Sequence, residues 1–183
     1  DMVRSIENGM STGLQFVKTH LSDDIWSGGG NHYDGTFYMM SDYTFSDDYG
    51  AIETIYTNLY KLVYRANIVL EKVTGDTPAM KRAVAEAKVF RAYAYFQLTT
   101  LWGTPPIVDH PLTEDEYMQS NSTTEELWAF VEKDLNEAIS SGALTQKANV
   151  NDNTYRITKH YAMSLLGKSL VFQKKWAEAA KVL

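Results

Sequence analysis

The stretch "AEAKVFRAYAYFQLTTLWGTPPIV", Ala85 to Val108, decides the fold class. Ala83, Ala87, Phe90, Ala94, Leu98 and Leu101 recur at steps of three and four, the spacing of one helical face. Three of those six are alanine, which lets two helix backbones approach closely. The helix is predicted from about Pro78, with Thr77 as N-cap and proline at the first helical position, where its missing N–H costs nothing. It stops sharply. Gly103 fits a left-handed C-terminal cap, and Pro105-Pro106 cannot continue a helix.

The same stretch holds Phe90, Tyr93, Tyr95 and Phe96 beside Arg91. Aromatic stripes at helical spacing are usually core, so packing is the stronger reading over ligand binding. Arg91 is expected to pair with a carboxylate inside the bundle. Asn67, on the preceding helix, is expected to hydrogen-bond a neighbouring loop backbone, because a polar group on a buried face needs a partner.

Outward from this helix the pattern stays α-helical. Ile52, Ile55, Leu59, Leu62, Ala66, Val69 and Val73 share one face upstream. Downstream, Thr123 and Glu126 form a capping box, followed by the face Leu127, Phe130, Val131, Leu135, Ala138 and Ile139. The 142–155 segment reads as a polar loop, a helix is predicted from about Thr158 to Gln173, and "KKWAEAAKVL" opens another. No strand pair with a tight turn appears. Met163, Leu166, Gly167, Leu170, Ala179 and Leu183 stand in tetratricopeptide register, small residues where helices cross and large ones between, with Trp176 expected to plug the turn side. Stacked helix pairs supply a scaffold rather than chemistry.

Three regions follow: a helical segment 1–21, an irregular segment 22–50, and tetratricopeptide-like repeats over 51–183. Residues 22–50 mix glycine, serine and aspartate with seven aromatics and show no sustained period, so a long structured loop is expected. Trp26, Tyr33, Tyr38 and Tyr43 lie there among Asn31, Asp34, Ser41 and Asp42. A sugar ring has an apolar C–H face and a hydroxyl rim, so its site needs flat aromatic platforms beside short polar side chains. Trp26, Asn31, Tyr33, Asp34, Tyr38 and Tyr43 are therefore the candidate ligand-binding residues. The competing reading is that these aromatics pin the loop to the helices.

Composition excludes several classes. A net charge of −6 leaves no basic footprint for nucleic acid or an anionic membrane surface. Cys 0 removes disulfides, thiolate metal sites and cysteine nucleophiles, without fixing the compartment. No apolar run approaches the ~18 residues of a membrane span. His20, His32, His110 and His160 have no metal-ligand spacing, there is no nucleophile elbow, and "SGGGN" lacks the lysine of a phosphate loop. Asp23-Asp24 and Asp47-Asp48 are adjacent pairs that cannot face each other across a glycosidic bond; they suit a loop-bound cation or solvated turns. No enzyme activity and no cofactor are expected. Both ends read as internal to something longer, since the start lacks a signal-peptide pattern and the last helix lacks a cap.

"IYTNLYKLVYRANIVLEKV", "AEAKVFRAYAYFQLTTLWGTPPIV", "LWAFVEKDLNEAI" and "RITKHYAMSLLGKSLVFQKKWAEAAKVL" follow one another as in the SusD/RagB family, which the chain resembles from about Leu21 to its end. The Ala-Glu-Ala-Lys-x-Phe-Arg-Ala-Tyr-x-Tyr-Phe-x-Leu run is the most specific piece, and Asn67 is a second anchor. The resemblance implies the N-terminal portion of a larger all-α fold, a tetratricopeptide-like scaffold carrying an irregular ligand-binding part. It implies a cell-surface lipoprotein of the outer membrane that captures oligosaccharides and hands them to a SusC-like TonB-dependent transporter. It also implies a ligand site shared between the 22–50 region and a C-terminal portion outside this chain, the only membrane link being an N-terminal lipid anchor also outside it. A peptide-binding member of the family, or a plain tetratricopeptide interaction scaffold, stays open; a plain scaffold has no reason to carry the 22–50 segment.

Overall fold

The computed structural model describes residues 10–22, 25, 35–46, 49–146 and 156–183. Among these the secondary structure is helical, with one isolated bridge between Thr145 and Thr158. The helices are α1 Met10–His20, α2 Gly35–Ser41, α3 Gly50–Lys72, α4 Pro78–Trp102, α5 Thr124–Ser140, α6 Lys159–Phe172 and α7 Trp176–Val182, with a 3-10 turn at Glu114–Glu116. Two compact units are present, 1–61 and 62–183; α3 begins in the first and ends in the second.

In the first unit α1 packs on α2, with Leu14, Val17, Met40, Ile55 and Leu59 buried. Helix α2 lies inside the segment read from sequence as irregular. Seven residues are too few to display a 3.6-residue period, and only Met40 of "GTFYMMS" is described as fully buried.

In the second unit α4 packs on α5, α5 on α6 and α6 on α7. The caps are those the sequence predicts: Thr77 Oγ1 accepts the Met80 N–H at 3.3 Å, and Thr123 and Glu126 close a reciprocal box. Thr158 caps α6 through the Tyr161 N–H. The predicted single inner stripe of α4 is a correction. Ala85, Glu86, Ala87, Val89, Arg91, Ala92 and all of Ala94–Thr99 are buried, so α4 is covered around most of its girth and only Ala87, Ala94 and Leu98 of the stripe are fully enclosed. A central helix with neighbours on several sides has no solvent face to give it amphipathic contrast.

Gly103 is a second correction. Its φ of 77° and ψ of −68° lie outside the left-handed helical well, and the Thr104 N–H donates to the Trp102 carbonyl at 2.9 Å. That is a γ-turn about glycine, a conformation that side-chain-bearing residues avoid. Trp176, expected to plug the turn side, instead heads α7 with its ring exposed. Gly167 does sit at a close crossing: a Cβ there would lie 2.6 Å from Leu183 side-chain carbons.

A buried polar node holds α4, α5, the end of α3 and the following loop together. Arg91 Nε and Nη2 donate to Asp134 Oδ2 and Oδ1 at 2.7 and 2.8 Å, a bidentate pair. Arg91 Nη1 donates to Asn67 Oδ1 at 2.8 Å and to the Asp109 carbonyl at 2.9 Å, and Asn67 Nδ2 donates to the Val108 carbonyl at 2.9 Å. The Arg91 guanidinium stacks 4.8 Å from the Phe130 ring centre. Tyr95, edge-on to Phe130 at 5.1 Å, accepts the Val108 N–H with its hydroxyl at 2.7 Å; burial holds that phenol well above its ordinary pKa. Both expectations for Arg91 and Asn67 hold. Phe96 is buried against Trp128 and Phe172, with edge-on contacts at 5.8 and 5.2 Å, so Tyr95 and Phe96 are core, while Phe90 and Tyr93 are half-buried at its edge. Glu86 also forms a doubled pair, with Arg156 at 2.9 and 2.8 Å.

Candidate functional site

Of the candidate ligand-binding residues, Trp26, Asn31, Tyr33 and Asp34 lie outside the described residues. Tyr38 and Tyr43 are described, the first in the middle of α2 and the second two residues past its last residue, Ser41. Tyr38 sits one turn before Asp42 and hydrogen-bonds its carboxylate; that bond to the neutral phenol is the main reason its pKa is raised.

Tyr43 has the more informative geometry. The Thr44 N–H donates to the Met39 carbonyl at 2.9 Å and the Tyr43 N–H to the Met40 carbonyl at 3.2 Å. Those two bonds are the Schellman arrangement that ends a helix, and they place Tyr43 at its left-handed position with φ 54°. Glycine usually occupies that position, and a side chain there costs about 1–2 kcal/mol. The Tyr43 hydroxyl donates to the Leu21 carbonyl just past α1 at 2.6 Å, meeting an acceptor that the helix end leaves unpaired. Yet Tyr43 remains 65% exposed. The chain thus holds an aromatic ring at a strained backbone position, tethers it by its tip and leaves it open to solvent. Ser41, Asp42 and Thr44 flank it, and Phe45 and Tyr49 follow as a tilted ring pair 6.1 Å apart.

Sequence reasoning selected Tyr43 for its neighbours and missed the helix-end geometry that presents it. Two polar short side chains, Ser41 and Asp42, followed by an aromatic and then Thr44 contain no glycine to mark the turn. An open groove of about 750 Å³ in the second unit was also missed, lined by Trp128, Phe172, Glu125, Glu132, Lys174 and Lys175. Its Lys175–Glu132 pair, at 2.7 Å, is already closed on itself. Among the described residues no group of histidine and carboxylates could hold a metal ion, and no helix is long and apolar enough to cross a membrane.

The family model described as "Starch-binding associating with outer membrane", of the SusD-like group, matches residues 5–170. The chain belongs to the SusD-like family. A SusD-like protein of Formosa agariphila is 31% identical over 80 residues, 42% of this chain and 15% of the relative. Another, of Bacteroides ovatus, is 27% identical over 128 residues, 66% of this chain and 22% of the relative. Among solved structures, a laminarin-binding SusD-like protein superposes with a TM-score of 0.84 at 29% identity, over 100% of this chain and 40% of that one. Surface glycan-binding protein A of Bacteroides thetaiotaomicron, in complex with laminarihexaose, gives 0.78 at 20% identity over 92% of this chain and 36% of that one, a likeness of fold. The SusD-like chain described here therefore spans well under half the length of the relatives it matches.

Proposed function

We propose that this chain is the helical, N-terminal part of a non-catalytic surface protein that captures neutral oligosaccharides. The observation that carries the reading is Tyr43: an exposed ring kept at a left-handed position where glycine would be cheaper, its hydroxyl fixed and its face free. A platform of this kind is ordered before the ligand arrives, so binding loses less conformational entropy. Trp26 and Tyr33 are proposed as further platforms, with Asn31, Asp34 and the Tyr38–Asp42 pair supplying hydrogen bonds to the hydroxyl rim. A laminarin-binding SusD-like protein and a surface glycan-binding protein solved with laminarihexaose share the fold, which supports a β-glucan as the first ligand to try. Residence at the outer membrane on a lipid anchor, and delivery to a SusC-like TonB-dependent transporter, complete the proposal; the family description supports association with the outer membrane.

The test is an array of neutral glycans, charged glycans and peptides probed with the full-length protein. Binding confined to neutral oligosaccharides is the expected result. Binding confined to peptides would overturn the glycan reading in favour of a peptide-capturing member of the same family.

A further inference from the structure

The loop between α4 and α5 is fastened at its base. Arg91 and Asn67 hold the Asp109 and Val108 carbonyls, the Ile107 N–H donates to Ser122 Oγ at 3.1 Å, and the Ser122 N–H donates to the Pro105 carbonyl at 3.4 Å. Beyond the base the loop carries the 3-10 turn Glu114–Glu116 and then Tyr117 and Met118, 65% and 96% exposed. His110 joins base to turn. Its Nδ1 lies 2.7 Å from Asp109 Oδ1 and its Nε2 lies 3.1 Å from Glu116 Oε1. Glu116 Oε2 in turn accepts the Thr113 N–H at 2.9 Å and the Thr113 hydroxyl at 2.8 Å.

A carboxylate only accepts hydrogen bonds, and a neutral imidazole has one N–H. A ring with a carboxylate oxygen at each nitrogen makes both bonds only as the imidazolium. In the neutral form one nitrogen would turn a lone pair on a carboxylate oxygen, and that contact would open. We propose that protonated His110 is a pH-operated staple, holding the 3-10 turn and the exposed Tyr117–Met118 tip onto the Arg91-braced base and releasing them when the ring becomes neutral. The charged groups facing the ring are Asp109 from the base and Glu116 from the turn. Behind Asp109 lie Arg91 of α4 and its partner Asp134 of α5, while Asp115 Oδ1 lies 2.7 Å from the Thr113 hydroxyl, whose one proton it shares with Glu116.

The electrostatics agree in sign. Hydrogen bonds donated by the ring to the two carboxylates, Asp109 first, raise His110 above 6.5, Glu116 is lowered to about 2 chiefly by the Thr113 N–H and hydroxyl, and Asp109 is lowered chiefly by His110. A base with a raised folded pKa stabilises fully below its unfolded value and loses that contribution as pH rises through the raised one. A carboxylate with a lowered pKa stabilises above its unfolded value and loses the contribution as pH falls. The staple is therefore complete from weakly acidic pH up to the His110 titration, and opens above it.

The test uses the full-length protein with 13C-labelled histidine, the His110 signal being assigned by its loss in His110→Gln. Its titration midpoint is expected above 6.5, falling toward that value in Glu116→Gln. Hydrogen exchange at Thr113 and Glu116, corrected for intrinsic rates, reads the loop itself. Between about pH 5.5 and about pH 8.5, protection should fall about tenfold for each pH unit by which the measured midpoint exceeds 6.5. In His110→Gln that fall should vanish, while protection of the Val108 amide, bonded to Tyr95, stays as in the wild type. A midpoint at or below 6.5, or an undiminished fall in His110→Gln, would overturn the staple.

Discussion

Replacing Arg91 by methionine tests whether the node at the centre of the second unit is the main tie between α4, α5 and the loop. Methionine keeps most of the apolar stem and removes four hydrogen bonds, two to Asp134 and one each to Asn67 Oδ1 and the Asp109 carbonyl. Asp134 is 1% exposed, so the substitution leaves a carboxylate in the interior without its hydrogen-bonded counter-charge, Lys88 acting on it only at longer range, a loss of about 3–5 kcal/mol. The two stranded acceptors, Asn67 Oδ1 buried and the Asp109 carbonyl partly buried, add on the order of 1 kcal/mol each. Burial already pushes Asp134 above the usual carboxylate range despite Arg91; without Arg91 it rises further and the group takes up a proton. A carboxylate with a raised folded pKa favours the native state at low pH and loses that favour as pH rises through it, so the loss should be larger at about pH 8 than at about pH 5. The second variant, Arg91→Met with Asp134→Leu, removes the stranded charge. It should recover about two thirds of the loss and flatten its pH dependence, the remainder being Asn67 Oδ1 and the Asp109 carbonyl. Native-state hydrogen exchange at α4 and α5 amides in the full-length protein reads these values locally. A loss under about 1 kcal/mol, equal at both pH values, would refute the reasoning.

Gly103→Ala should lose about 1–3 kcal/mol from backbone strain alone, because nothing lies within 4 Å of its added Cβ; Gly50→Ala, equally open but without positive φ, should be neutral or slightly stabilising, as thermal melts of the pair will tell. Thr99→Val should raise stability by about 1 kcal/mol, read as a higher denaturant midpoint, since the buried Thr99 hydroxyl has no hydrogen-bond partner among the described residues. Ala87→Leu should cost about 1–3 kcal/mol by overpacking a fully buried crossing, and more than Tyr43→Ala; midpoints in the reverse order would mean that core and surface have been exchanged.

The helical repeats were legible because their signals are local. Thr77-Pro78, Thr123 with Glu126 and Thr158 each announce a helix start within four residues, and the alanines of α4 announce a close crossing. The partner of Arg91 was legible only as a type. Asp134 lies 43 residues away, and one aspartate among the polar positions of α5 carries no local mark of being buried. Arg156 and Glu86, 70 residues apart, are hidden for the same reason. Helix α2 escaped because two turns cannot establish a period, and the backbone at Tyr43 because the residue expected there is glycine. Gly103 was recognised as a stop, but residue type alone does not choose between a left-handed cap and a γ-turn. In the candidate site the chemistry of Tyr43 was visible from its neighbours, whereas its tether to Leu21 depends on where α1 ends, which only the fold supplies.

Glycan capture on the segment around Tyr43 is tested most directly by titration calorimetry of the full-length protein with laminarihexaose, comparing the wild type with Tyr43→Gly, Tyr43→Phe, Trp26→Ala and Tyr33→Ala. Tyr43→Gly relieves the left-handed strain while losing the bond to Leu21, so its stability should change little. Its affinity should fall about tenfold or somewhat more, since stacking on one ring is worth ~1–2 kcal/mol. Tyr43→Phe keeps the ring and loses the tether, and should fall between the two. Neutral sugars present no charge to screen, so affinity should hardly change with salt. Wild-type binding that persists unchanged in all four variants would contradict the claim, and would make the 22–50 segment a structural strap with the sugar held elsewhere.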